Sequence, residues 1–169
     1  FLSFIFSRFF KKSFISGLPF ALSIEPTTSC NLGCPECPSG LKQFTRKTGN
    51  LSIALNKKII DELKGKLTYI NYYFQGEPYV NKNFFDFVQY ANSKKIFCST
   101  STNGHFLNNE NCIKTIESGL KRLIISIDGN SQETYEIYRK KGKYERVIEG
   151  TKNIIKWKKK LNSEYPHVI

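Results

Sequence analysis

The chain has 169 residues, 40% of them hydrophobic and 14% aromatic, and carries 26 Lys+Arg against 14 Asp+Glu, a formal net charge of +12. That length suits about one domain with a packed core, and five cysteines in so globular a composition exclude a fully paired disulfide scaffold of the secreted mini-protein kind. The basic balance admits an anionic partner such as nucleic acid, membrane headgroups or a phosphorylated substrate, but most lysines stand singly or in short runs on expected helices, which favours a solvated basic surface.

Residues 1–17 form an aromatic and then basic segment, with Phe4, Phe6, Phe9 and Phe10 ahead of Lys11 and Lys12. It is too short to span a bilayer. A signal peptide would place its charge first and end in small residues, the reverse of this order. The segment is expected to pack on the domain as an amphipathic element, with contact to a membrane surface as the alternative. The first residue is not Met, so the true start is expected to lie upstream. Residues 18–169 read as one core domain.

From residue 20 onward, strand-like apolar runs alternate with helical periodicity. A first strand is expected over 20–25, running into a cysteine-rich loop and a polar stretch over 39–50 that holds Lys42, Arg46 and Lys47. A helix follows with Leu55, Ile59, Ile60 and Leu63 on one face. The second strand covers 67–74 and ends at Gly76-Glu77-Pro78; a helix covers 84–93. The third strand, 96–102, ends at Asn103-Gly104, and a helix over 109–118 is capped by Gly119. The fourth strand, 123–127, ends at Asp128-Gly129. A short helix over 132–140 and a longer one over 144–161 follow, the latter closing on Lys156 to Lys160, where cations suit the helix end. Residues 167–169 look like the opening of a fifth strand.

Strands alternating with helices predict βα units and a parallel sheet of the α/β class. Each marked polar cluster falls just after a strand, at the sheet edge where α/β folds and βα barrels build their sites.

The loop after the first strand holds Cys30, Cys34 and Cys37 in the spacing C-x3-C-x2-C. Three thiolates on one short loop can hold three irons of a four-iron cluster and leave the fourth open, and an open position is what a catalytic metal site keeps. A structural zinc site would want a fourth ligand; Cys98, Cys112, His105 and His167 are the candidates, and none forms a second C-x2-C pair. A zinc-stabilised binding module without catalysis stands as the alternative from a different class. A ferredoxin-like electron carrier would also need a fourth cysteine ligand. Cys98 and Cys112, on a strand and a helix, are expected to be buried apolar fillers.

Glu25-Pro26-Thr27-Thr28-Ser29-Cys30-Asn31-Leu32, followed by Cys34 and Cys37, resembles the first βα loop of the radical S-adenosylmethionine (radical SAM) superfamily. The style is that of members with a SPASM-type C-terminal domain; Ser126-Ile127-Asp128-Gly129, Glu133-Thr134-Tyr135 and Arg139 are similar to the same group. The resemblance covers about residues 18–169. It implies a partial (β/α) barrel with about four βα units present and the start of a fifth. It also implies a truncated core, with further units and any auxiliary-cluster cysteines beyond it.

The resemblance implies roles residue by residue. Cys30, Cys34 and Cys37 would ligate a 4Fe–4S cluster, which would neutralise a buried thiolate triad. Gly76, Glu77 and Pro78 match the glycine–glutamate–proline motif that receives the methionine ammonium of S-adenosylmethionine. Glycine permits close backbone approach there and proline fixes the turn. Gln75 stands where the family often has a further glycine. Ser101, Thr102 and Asn103, with Ser126 and Asp128, would bind ribose or carboxylate oxygens. Arg139 is the candidate partner of the cofactor carboxylate, a planar fork suiting that group, with a solvated helix arginine as its alternative. Glu36 precedes the third cysteine where the family often has an aromatic residue, leaving the adenine to Phe74 or Tyr73. His105 is a loop residue with a possible substrate contact. No catalytic side chain is assigned.

The chemistry implied is reductive cleavage of S-adenosylmethionine and hydrogen abstraction from a substrate, with a peptide or protein as the first expectation. An electron donor such as flavodoxin or ferredoxin and a reducing cytoplasm go with it. An RNA-modifying radical SAM enzyme is the second enzymatic reading, for which the charge of +12 is the motive.

Overall fold

The computed structural model describes residues 2–63 and 65–169. Five strands form one sheet: β1 (Ala21–Ser23), β2 (Tyr69–Asn71), β3 (Phe97–Thr102), β4 (Arg122–Ile125) and β5 (His167–Val168). They lie side by side in chain order and every pair is parallel, Leu22 against Ile70, Ile70 against Cys98, Thr100 against Leu123 and Leu123 against Val168. An order that never reverses winds in one direction, as in a (β/α) barrel, whereas a doubly wound sheet changes direction at a switch point.

The crossovers carry α3 (Ile53–Leu63), α4 (Phe84–Ser93), α5 (Asn109–Glu117), α6 (Gln132–Tyr138) and α7 (Tyr144–Lys160). Their ends follow local chemistry. Asn108 caps α5 by accepting the Asn111 N–H at 2.9 Å. Gly119 stops that helix at φ +80, and a Cβ there would stand 2.2 Å from the Asn92 amide. Ser131 and Thr134 form a reciprocal capping box on α6.

The core lies between the sheet and these helices. Ile70, Tyr72, Cys98 and Leu123 from the sheet side meet Ile60 of α3, Phe87 and Val88 of α4, and Val147 and Ile154 of α7, all fully buried. Each such side chain contributes about 1.5–3 kcal/mol on burial. Cys98 and Cys112 are buried fillers as expected, with burial pushing both thiols up to about 12. The Tyr72 hydroxyl, carried into this core, donates to Asn56 Oδ1 at 2.8 Å.

Two sequence expectations are corrected. The strands are shorter than their apolar runs: Tyr72 N–H still reaches Ser99 O, but Tyr73 and Phe74 leave the ladder so that residues 75–77 can turn across the sheet edge. The N-terminal segment is a helix, α1 (Leu2–Phe10), yet it buries none of its residues. Its rings pack on one another, Phe6 on Phe10 at 6.1 Å and Phe10 on Phe14 at 6.0 Å, and Ser7 Oγ ties the chain back by accepting the Phe14 N–H. The polar stretch begins with a one-turn helix, α2 (Pro38–Leu41). Among the described residues, no helix is long and apolar enough to cross a membrane.

Candidate functional site

The C-terminal ends of β1 to β4 converge on a cavity of about 180 Å³. After β1 the chain runs through Thr27 and Thr28 and is pinned by return contacts: Thr28 N–H donates to Gly49 O and Leu51 N–H to Pro26 O. These bonds close the intervening residues into a lobe that carries the cysteine loop. Cys30, Cys34 and Cys37 all line the cavity, and none is in a disulfide.

The β2 end supplies Gly76 and Glu77. Gly76 sits at φ +76, and a Cβ on it would stand 2.1 Å from Thr27 O, so this turn admits only glycine. Its N–H donates to Ser39 Oγ at 2.8 Å, and Glu77 N–H donates to Ser29 O at 2.8 Å. Both bonds bind the turn to the cysteine loop. The Glu77 carboxylate is buried; Oε1 accepts from Thr102 Oγ1 at 2.8 Å and Oε2 from the Asn103 N–H at 2.8 Å. Burial pushes its pKa up to about 7, against the pull of these donors and of Arg139. Pro78 does not line the cavity; it opens a 3₁₀ turn (Pro78–Val80) that Glu77 caps.

From β3 come Ser101, Thr102 and Asn103, and from the β4 end Ser126, all lining the cavity. Ser101 Oγ and Ser126 Oγ lie 3.3 Å apart. Asp128 stands just outside and is ion-paired to Arg139, which lines the cavity and places Nη1 4.0 Å from Cys34 Sγ. Burial raises the Cys34 thiol and the Arg139 cation lowers it; burial also raises the Cys30 thiol, against the Leu32 N–H on its sulfur. Phe74 and Tyr73 reach the same cavity, Phe74 largely exposed.

Several residues escaped the sequence reading. Gln75 Oε1 accepts from Cys37 Sγ at 3.4 Å, so the residue in the glycine-like position engages a cysteine. Ser39 and Asn31 tie the loop to the β2 and β3 ends, the latter accepting Asn103 Nδ2 at 2.8 Å. Position alone could have suggested them, since each adjoins a cysteine or the glycine turn. Roomier depressions elsewhere, among them one of about 500 Å³ beside α7 and one of about 820 Å³ beside β1, hold none of the three loop thiols.

The donor set fits a cluster better than a single ion. Among the described residues no three His, Cys, Asp or Glu side chains converge on one point, whereas a four-iron cluster takes each thiolate on a separate iron. The candidate fourth zinc ligands are committed elsewhere: Cys98 and Cys112 in the core, and His105 to Asn103 and the Lys143 N–H. His167 lies on β5, at the far edge of the sheet from the cysteine loop. Thiols raised by burial need a metal charge to stay ionised, which cluster binding supplies.

The radical SAM superfamily model matches residues 24–161. Mycofactocin maturase MftC of Mycolicibacterium smegmatis is 32% identical over 136 residues, 80% of this chain and 34% of that protein. The AdoMet-dependent heme synthase of Oleidesulfovibrio alaskensis is 30% identical over 128 residues, 75% of this chain and 32% of that protein. The chain thus spans about a third of the length of these curated relatives. Native anSMEcpe with bound AdoMet superposes with a TM-score of 0.70 at 20% identity, covering 83% of this chain and 42% of that one. Streptococcus suis SuiB bound to S-adenosylmethionine gives 0.68 at 18% identity, covering 82% and 32%. Parallel winding, a three-thiol loop at the first strand end and a family match over most of the core agree, and the chain belongs to the radical SAM superfamily.

Proposed function

We propose that this chain holds a 4Fe–4S cluster on Cys30, Cys34 and Cys37 and binds S-adenosylmethionine in the adjoining cavity, as the core of a SPASM-type radical SAM enzyme acting on a peptide or protein. When bound, the cluster supplies the electron for reductive cleavage of the cofactor and so for hydrogen abstraction from substrate. The protein's own residues bind and orient. Glu77, buried and without an ion pair among the described residues, is suited to a cofactor ammonium, which would offset its desolvation. Arg139 is held by Asp128 through Nε and retains further N–H donors for a carboxylate. Ser101 and Ser126, with hydroxyls in the cavity, suit ribose or carboxylate oxygens. Phe74, at the exposed rim, suits a nucleobase face.

The observation that carries this reading is the single cavity shared by the three cysteines, Glu77 and Arg139. The maturase relatives support a peptide substrate, and a one-electron carrier of the flavodoxin or ferredoxin kind would serve as donor. The test is anaerobic reconstitution with iron and sulfide. About four irons per chain and a reduced-state EPR signal that changes on adding S-adenosylmethionine support it. Retained zinc, or a cluster indifferent to the cofactor, overturns it.

A further inference from the structure

The loop residue His105, read from sequence as a possible substrate contact, does not line the thiol cavity; it is buried behind Asn103. Its ring stacks on Tyr135 with centroids 6.5 Å apart and planes 27° apart. The Lys143 backbone N–H points at Nε2 from 2.9 Å. A backbone amide can only donate, so Nε2 carries no proton and the ring is the neutral Nδ1–H tautomer. Burial lowers the basicity of the ring, the direction that favours the neutral form this contact requires.

The proton on Nδ1 fixes the next group. Nδ1 lies 3.0 Å from Asn103 O and 3.1 Å from Asn103 Oδ1, and the His105 backbone N–H also donates to Oδ1 at 3.1 Å. With two donors on it, the side of the Asn103 amide facing His105 must be its oxygen. Its NH2 group therefore faces the cysteine loop, with Asn31 Oδ1 at 2.8 Å and Cys30 Sγ at 3.8 Å. Meanwhile the Asn103 backbone N–H holds Glu77.

We propose that His105 is a positioning residue that aims the Asn103 amide at Cys30, giving that sulfur an N–H···S bond that raises the reduction potential of a cluster bound there. Hydrogen bonds to ligand sulfurs favour the reduced, more negative cluster, and the partners behind them set how well they are aimed. The inference rests on the proposed cluster site for its consequence, and on the ring and amide alone for its geometry.

The experiment reads the two separately. In cluster-free protein, long-range proton–nitrogen NMR of the histidine ring at neutral pH reports the tautomer; the Nδ1–H form is expected, and the Nε2–H form overturns the inference. In anaerobically reconstituted protein, the ratio of reduced to oxidised cluster is read by EPR at a fixed potential for wild type, His105→Phe, Asn103→Ala and the double variant. His105→Phe keeps a ring against Tyr135 while removing both nitrogens. Each single variant is expected to lower the ratio about two- to tenfold, the scale of one lost hydrogen bond, and the double is expected to match Asn103→Ala. A His105→Phe ratio equal to wild type, or additive effects in the double, overturns it. Wild type that assembles no cluster would sink the proposed function instead, and the tautomer would still decide whether His105 aims Asn103.

Discussion

Gly76 and Thr27 approach so closely that a Cβ on Gly76 would stand 2.1 Å from the Thr27 carbonyl oxygen. The contact joins the turn after β2 to the strand exit that leads into the cysteine loop. Gly76→Ala would also place a side chain at φ +76, itself worth about 1–2 kcal/mol. The two segments must separate to admit it, breaking the Gly76–Ser39 and Glu77–Ser29 bonds. Urea unfolding should show a loss of at least about 2 kcal/mol, and reconstituted protein should bind S-adenosylmethionine more weakly.

Glu77 gives the molecule a pH dependence with a definite sign. Its folded pKa, about 7, lies above the ordinary carboxyl value of 4.5, so the folded state binds more protons between those values. Its contribution is fully present below pH 4.5 and is lost as pH rises through about 7. A shift of that size amounts to a loss of order 3 kcal/mol across the window. His105, whose pKa is lowered, acts oppositely: protonation of the unfolded ring costs stability as pH falls below the ordinary histidine value of 6.5. Urea unfolding of wild type minus Glu77→Gln, in reductant and without cluster, isolates the carboxyl and should fall steadily from pH 5.5 to 7.5. A flat difference would mean that Glu77 is ionised throughout.

Much of this site was legible because its chemistry is local in sequence. The cysteine spacing, the Gly76-Glu77 turn and the polar strand ends each sit within a few residues, and parallel βα winding brings all of these ends to one edge. Arg139 was recognisable only through resemblance, since α6 and its connection had to fold back before the guanidinium could meet Cys34. The second layer was not legible. Ser39 and Gln75 act through single contacts with residues distant in sequence, and His105 acts on its near neighbour Asn103 only once the Lys143 N–H has fixed its ring; a lone serine, glutamine or histidine in a loop carries no periodic or spacing signal. The strand ends were overdrawn for a related reason: Tyr73 and Phe74 are β-formers that continue the pattern while the ladder stops.

Arg139 should control the reactivity of Cys34. Its guanidinium is the largest influence lowering a thiol that burial raises. Arg139→Gln should therefore reduce the thiolate fraction of Cys34 and slow its alkylation by iodoacetamide near pH 8 several-fold. Cys37 in the same protein serves as the internal reference, because its sulfur bonds to Gln75 and not to Arg139. Mass spectrometry of the cluster-free protein reads both sites at once. Equal slowing at both would point to a general rearrangement of the loop.

The last expectation concerns α1, which holds Leu2, Phe4, Ile5, Phe6, Phe9 and Phe10 exposed and buries nothing. An element whose rings pack on one another and on nearby Phe14, with none of its residues buried, contributes little to the cooperative unfolding of the domain. The first backbone ties from this region to the sheet come from Phe20, whose carbonyl accepts the Thr68 and Tyr69 N–H groups. A chain starting at Ile15 should therefore unfold within about 0.5 kcal/mol of the full chain in urea. It should also stay monodisperse at higher concentration, because an exposed aromatic patch promotes self-association. A loss above about 1 kcal/mol would mean that the helix packs on the domain after all, restoring the arrangement its amphipathic sequence first suggested.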